Sequence, residues 1–252
     1  MVYIQWNPSS YLIPWGNGGL TWYGTMWGLS VLLGFWLTLR LYKREGLPLG
    51  YPYKLTEYVF WSGLIGARLG DVFLYNFAHY WRYPSEILFI WHGGLSSHGG
   101  AVGILLGAWL FLRNYPHIAY LHLLDILSVG APLVGGLIRI GNLFNSEIVG
   151  KSTNVPWAFV FVKRDDIPRH PSQLYEALLL FVVFILLNYL HKISYFKRGS
   201  GGLTATFFAL VFGLRFVLEF WKENADFTQL LALPFVLLGL FLFWGNKGSF
   251  RK

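Results

Sequence analysis

Residues 135 to 150 read Gly135-Gly136-Leu137-Ile138-Arg139-Ile140-Gly141-Asn142-Leu143-Phe144-Asn145-Ser146-Glu147-Ile148-Val149-Gly150. The stretch closes an apolar run long enough to cross a bilayer, yet it holds an arginine, two asparagines and a glutamate. An arginine in hydrocarbon costs about 2.5 to 3.5 kcal/mol on insertion scales, so an embedded one marks a functional site by default. Arg139 and Asn142 are three apart and share a helix face, while the glycines admit another backbone or a ligand. A phosphate suits that combination better than a helix interface does.

The chain around it has 252 residues, 55% of them hydrophobic and 13% charged, and a mean hydropathy of +0.47. Apolar runs of bilayer length recur along it, the pattern of a polytopic membrane protein. The formal charge of +8 is dispersed among loops instead of gathered on one face, so nucleic acid is not an expected partner. Without cysteine the chain has no disulfide, thiolate metal site or cysteine nucleophile; any thiol in its chemistry comes from a substrate.

The hydropathy pattern predicts one all-α integral membrane domain over 1–252, with about seven transmembrane helices near 21–41, 57–78, 97–114, 121–141, 171–190, 202–221 and 227–245. Residues 1–20 are uncharged and the first basic residue is Arg40, so the first helix is expected to be retained and not cleaved as a signal peptide. Placing the N-terminus outside puts Arg40, Lys43, Arg44, Lys54, Arg113, Lys192, Lys197, Arg198, Lys247, Arg251 and Lys252 on the inner side. Arg82, Lys151, Lys163, Arg164, Arg169 and Lys222 then lie outside. The positive-inside rule favours this orientation, with a cytoplasmic C-terminus and an exoplasmic segment at about 142–170. Trp6, Trp15, Trp22, Trp81 and Trp91 read as interface anchors.

In that orientation Tyr23, His98, Arg139, Asn142, His170, Gln173 and Glu176 all fall near the outer face, with Arg215 in the outer half of the sixth span and Arg68 somewhat deeper in the second. Arg68 with Asp71 and Arg215 with Glu219 also have the spacing of intrahelical pairs. His98 sits in His92-Gly93-Gly94-Leu95-Ser96-Ser97-His98-Gly99-Gly100, where glycines flank two histidines and suggest a tight or re-entrant loop lining a cavity. The histidines show no metal-ligand spacing. Arg169-His170-Pro171-Ser172-Gln173-Leu174-Tyr175-Glu176 reads as a helix start that carries polar side chains into an apolar helix, part of a cavity wall.

These motifs together resemble those of the bacterial prolipoprotein diacylglyceryl transferase family. The resemblance runs in order through Trp22-Tyr23-Gly24, Gly66-Ala67-Arg68-Leu69-Gly70, the 92–100 segment, Arg139-Ile140-Gly141-Asn142, Asn145 to Gly150, Arg169 to Glu176 and Arg215 to Phe220. It implies a seven-helix inner-membrane enzyme, active on the periplasmic side. Such an enzyme moves the diacylglyceryl group of phosphatidylglycerol onto the lipobox cysteine in the signal peptide of a preprolipoprotein, releasing glycerol phosphate without a metal or other cofactor. By motif position it assigns catalysis to Tyr23, His98, Arg139 and Arg215. Arg139, Asn142, Gly150, Arg68, Glu147, His170, Gln173, Glu176 and Glu219 are expected to bind substrate, and His170 is the second candidate for general base. Val211, Lys222 and Ser97 depart from the family's usual tyrosine, arginine and aromatic residue. A transporter or flippase for an anionic lipid is the competing reading, although the paired halves and matched broken helices common in transporters are missing from the sequence.

Overall fold

A computed structural model describes residues 3–16, 18–90, 93–223 and 233–245. Trp91, His92, the basic tail residues Lys247, Arg251 and Lys252, and the start of the last expected span lie outside the described residues. The chain is mostly helical: α1 (Trp22–Glu45), α2 (Tyr51–Leu74), α3 (Phe77–Arg82), α4 (Ser97–Asn114), α5 (Tyr120–Phe144), α6 (Ser172–Lys192), α7 (Gly202–Leu218) and α8 (Leu233–Gly245). One 3-10 turn, Pro84–Leu88, follows α3, and another, Glu219–Trp221, continues α7. Local chemistry explains several ends. Lys43 and Arg44 occupy the last turn of α1 and His191 and Lys192 that of α6, where cations meet the negative end of the helix dipole. Pro52 sits in the first turn of α2, and the Ser96 side chain caps α4 by accepting from Gly99 N.

Among the described residues, α1, α5, α6 and the 202–221 helix are long and apolar enough to cross a membrane. The expected second span instead becomes α2, which carries Lys54, Glu57, Arg68 and Asp71 and ends at Leu74, with α3 starting anew at Phe77. The expected third span coincides with α4, and α5 runs on to Phe144, so Arg139 and Asn142 lie in its last turns.

The all-α expectation needs amendment, because two small sheets are present. Strand β1 (Ile4–Trp6) runs parallel to β4 (Phe159–Phe161), which pairs antiparallel with β5 (Pro168–Arg169). Strands β2 (Tyr11–Trp15) and β3 (Gly18–Thr21) form a hairpin. Strands of two to five residues are too short to leave a readable alternation in sequence.

The fold divides into two compact units, residues 1–37 with 125–252, and residues 38–124. In the first, Leu143, Val149, Phe159 and Phe161 form a core on which Trp6 and Leu174 pack. Trp6 donates to Leu143 O at 2.9 Å and Trp22 stacks on Phe144 at 4.4 Å, so both rings pack within the unit. Trp15 and Trp81 are exposed. Buried Asp125 of α5 receives Gly201 N, Thr204 N and Thr204 Oγ1, each at 2.9 Å, and so holds the start of α7.

In the second unit α2 and α4 meet along a glycine seam. A Cβ on Gly99 would collide with Gly66 O, and one on Gly103 with Ser62 O, so the two backbones touch as only small residues allow.

Candidate active site

In the first unit the C-terminal turns of α5 and α7 and the N-terminal turn of α6 bring together a buried charge cluster. The Arg139 guanidinium pairs through Nε with the Glu176 carboxylate, and its Nη1 donates to Asn142 Oδ1 at 3.2 Å. Lys222 Nζ lies 2.7 Å from Glu176 Oε1 and 2.9 Å from Glu219 Oε2, bridging two carboxylates. Arg215, in the last turn of α7, is within electrostatic reach of Glu176. Asn142, Glu176, Glu219 and Lys222 are all buried. Charges removed from water at this depth persist only when paired, so the arrangement is tightly constrained.

A second layer of bonds sets the turn after α5. Glu147 accepts from Asn142 Nδ2 at 3.0 Å and from Asn145 Nδ2 at 3.1 Å. Its backbone carbonyl accepts from Gln173 Nε2, and Ile148 O accepts from Ser172 Oγ at 2.6 Å. Ser146 and Ile148 have φ of 58° and 55°. A β-branched residue in the left-handed region is strained, and such strain collects at functional sites.

Gly150 then passes between two other segments. Its N–H donates to His170 O at 2.9 Å, and Lys151 N donates to Trp221 O at 2.8 Å. The buried Arg169 clamps the region from behind: its Nη2 meets Asp165 at 2.6 Å and its Nη1 meets Glu223 at 2.8 Å, with Arg164 also on Glu223. Hydrogen bonding from Arg169 holds the Asp165 carboxyl below its ordinary pKa, and the same bond raises Arg169. His170 Nδ1 is 3.2 Å from Tyr175 Oη, whose oxygen also accepts from Trp157 Nε1 at 2.8 Å. Burial lowers the His170 pKa below its usual value, which favours neutral imidazole.

The second unit holds two further site candidates. His98 is in the first turn of α4, 6% exposed, with Nδ1 3.1 Å from Tyr75 Oη. Arg68 is 5% exposed and donates to five carbonyls of the loop leading to α4, those of Glu86, Ile87, Phe89, Gly93 and Gly94. Asp71 accepts from Tyr80 Oη at 3.0 Å and Asn76 Nδ2 at 3.1 Å. Gly93 and Gly94 have φ of 90° and 73°, the tight turn that the glycine pattern suggests.

The structure thus gathers Arg139, Asn142, Glu147, Gly150, His170, Gln173, Glu176 and Glu219 into one unit. Tyr23, in the first turn of α1, packs its ring on Gly141 in the same unit. Arg68, expected to bind substrate, has its guanidinium engaged by loop carbonyls. Glu219, which has the spacing of an intrahelical pair with Arg215, lies 2.9 Å from Lys222 Nζ. In the first unit Lys222, which the sequence marks only as a departure from the family's usual arginine, and Arg169, which reads as part of a helix start, prove to be buried in ion pairs; Tyr75, in the second unit, was not singled out from sequence.

The sequence profile of the prolipoprotein diacylglyceryl transferase family matches residues 11–245. A phosphatidylglycerol–prolipoprotein diacylglyceryl transferase of Tolumonas auensis is 41% identical over 248 residues, covering 95% of this chain and 96% of that protein. A protein of the same name from Chloroherpeton thalassium is 39% identical over 253 residues, covering 95% and 93%. One from Porphyromonas gingivalis is 35% identical over 265 residues, covering 96% and 94%. With profile and relatives spanning nearly its whole length, the chain belongs to the prolipoprotein diacylglyceryl transferase family of membrane proteins.

Proposed function

We propose that this chain is a phosphatidylglycerol–prolipoprotein diacylglyceryl transferase. It moves the diacylglyceryl group of phosphatidylglycerol onto the lipobox cysteine of a preprolipoprotein, forming a thioether and releasing glycerol phosphate. Family membership supports the reaction, and one observation carries the site: Arg139, Glu176 and Lys222 form a buried ionic cluster where three largely apolar helices begin or end. A purely structural helix contact gains little from such groups, whereas an anionic headgroup requires them. In this reading the chain spans a bacterial cytoplasmic membrane about seven times with its N-terminus outside, and 142–170 lies on the periplasmic face.

A thiol has pKa of roughly 8.5, so transfer needs a base. His98 takes the thiol proton, a contribution typically worth about 10²- to 10⁴-fold, and His170 is the second candidate. The thiolate attacks the glycerol carbon that bears the phosphate ester; a C–S bond forms, the C–O bond breaks, and its electron pair stays on the phosphate. Arg139 and Arg215 hold that phosphate and stabilise its growing charge. Glu176 and Asn142 engage Nε and Nη1 of Arg139, which fixes the guanidinium plane; in this reading Nη2 meets the phosphate. Asn142, Glu147, Gly150, Gln173 and Glu219 shape the pocket wall, and Tyr23 packs beside it.

Purified protein reconstituted with phosphatidylglycerol and given a lipobox peptide tests the reading. A thioether-linked diacylglyceryl peptide with equimolar glycerol phosphate is the expected product, absent with a serine peptide. Lipid binding without transfer would overturn it.

A further inference from the structure

We infer that Tyr75 is a positioning residue for His98: its phenol oxygen accepts a hydrogen bond from His98 Nδ1 in the reactive state, which leaves the imidazole lone pair on Nε2. The inference rests on the proposed role of His98 as the base.

Three observations support it. The phenol oxygen and Nδ1 are 3.1 Å apart, within hydrogen-bond range. Tyr75 is the residue immediately after α2, and its N–H is anchored on Asp71 O at 3.1 Å. His98 lies in the first turn of α4, whose preceding residue Ser96 donates from its backbone to Ala67 O of α2 at 2.9 Å. The phenol and the imidazole are therefore carried by two helices that cannot slide. Their glycine seam has no room for a side chain at Gly66, Gly70 or Gly99, and Arg68 of α2 grips the carbonyls of the loop that enters α4.

A neutral imidazole has one N–H and one lone pair, and the partner of one nitrogen decides which tautomer is present. A phenol oxygen that accepts from Nδ1–H keeps basicity on Nε2. It also stays bonded after the ring gains a proton, since both nitrogens of imidazolium donate. This is how a partner that never touches substrate raises turnover without contributing to substrate binding.

A double-mutant cycle tests this, with kcat and KM for the lipobox peptide measured for His98→Gln, Tyr75→Phe and the pair. Tyr75→Phe keeps the ring and removes only the oxygen. It is expected to lower kcat roughly five- to tenfold with KM within about twofold, and to have no further effect once His98 is Gln. Equal losses in both backgrounds would show that the phenol acts independently of His98, and a change confined to KM would place it on the substrate; either overturns the inference. If Tyr75→Phe is silent while His98→Gln is slow, the positioning role alone fails. If His98→Gln keeps full turnover, the assignment of the base fails and takes this inference with it.

Discussion

Lys222 Nζ lies 2.7 Å from one oxygen of Glu176 while Arg139 Nε holds the other, so a single carboxylate on α6 ties the end of α5 to the residue that follows the 3-10 turn after α7. Removing one member of a buried ionic set leaves its partners uncompensated, at a cost of about 3 to 5 kcal/mol. Lys222→Met is expected to lower the thermal midpoint in detergent sharply and to abolish transfer. Lys222→Arg restores the charge and offers a fork to Glu176 and Glu219, and should keep most of both. Equal stability of the Met variant would show that Lys222 is dispensable to the cluster.

Arg139→Lys separates charge from geometry. Lysine keeps the cation but cannot reach Glu176, Asn142 and a phosphate at once, because those contacts use the edges of one planar group. Transfer should fall by about 10²- to 10³-fold, as when a preorganised donor is removed from a site of developing charge. Binding of phosphatidylglycerol, read by lipid retention on the purified protein, should fall far less. Turnover near that of the parent would remove the guanidinium from the mechanism.

How much of this was legible in the sequence depended on whether a residue's meaning is local. Arg139 and Asn142 stood out because an arginine inside an apolar run is anomalous wherever it lies, and the α4 boundary followed from its own pattern. Lys222 stood out only as a departure from the family's usual arginine, and its partners could not be read, because a lysine after a helix is ordinarily solvated. Only the fold, which pairs Gly150 with Lys222, makes it buried. Arg169 was hidden for the same reason, its partners Asp165 and Glu223 being supplied by a loop and by the residues after α7. Trp6 belongs to a three-residue strand whose partner is 155 positions away, and no short-range pattern reports that pairing.

Asp125 takes three donors from the start of α7, the helix that carries Arg215. Asp125→Ala leaves those groups without their acceptor and should cost about 1 to 3 kcal/mol. Asp125→Asn keeps one carbonyl oxygen and should lose less. Chemical denaturation in mild detergent distinguishes the two, and an alanine variant as stable as the parent would refute the capping role.

Gly150→Ala probes space instead of charge. The added Cβ would stand 2.6 Å from both His170 Cβ and His170 O, and 2.9 Å from Trp221 O, so backbone on two sides has to move. Overpacking of this kind costs about 1 to 3 kcal/mol. The larger effect should be on transfer, since the displaced segments carry His170 and Lys222. An alanine variant with parental activity would mean that the close approach of these segments is not needed for the reaction.

His170 gives a pH dependence whose sign follows from burial. Its folded pKa is lowered from 6.5 by desolvation, so the folded protein binds this proton less readily than the unfolded chain does. Stability from keeping the ring neutral is therefore complete above pH of about 6.5, and is lost as the pH falls from there through the folded pKa. His170→Gln removes the titrating group while keeping a polar partner for Tyr175 Oη. Thermal midpoints measured between pH 7.5 and 5 should fall more steeply for the parent than for the variant, the difference between them opening below about pH 6.5. Parallel curves would show that the ring takes up its proton equally well folded and unfolded. In that case the imidazole is reached by water, and its closed packing against Tyr175 is not the state populated in solution.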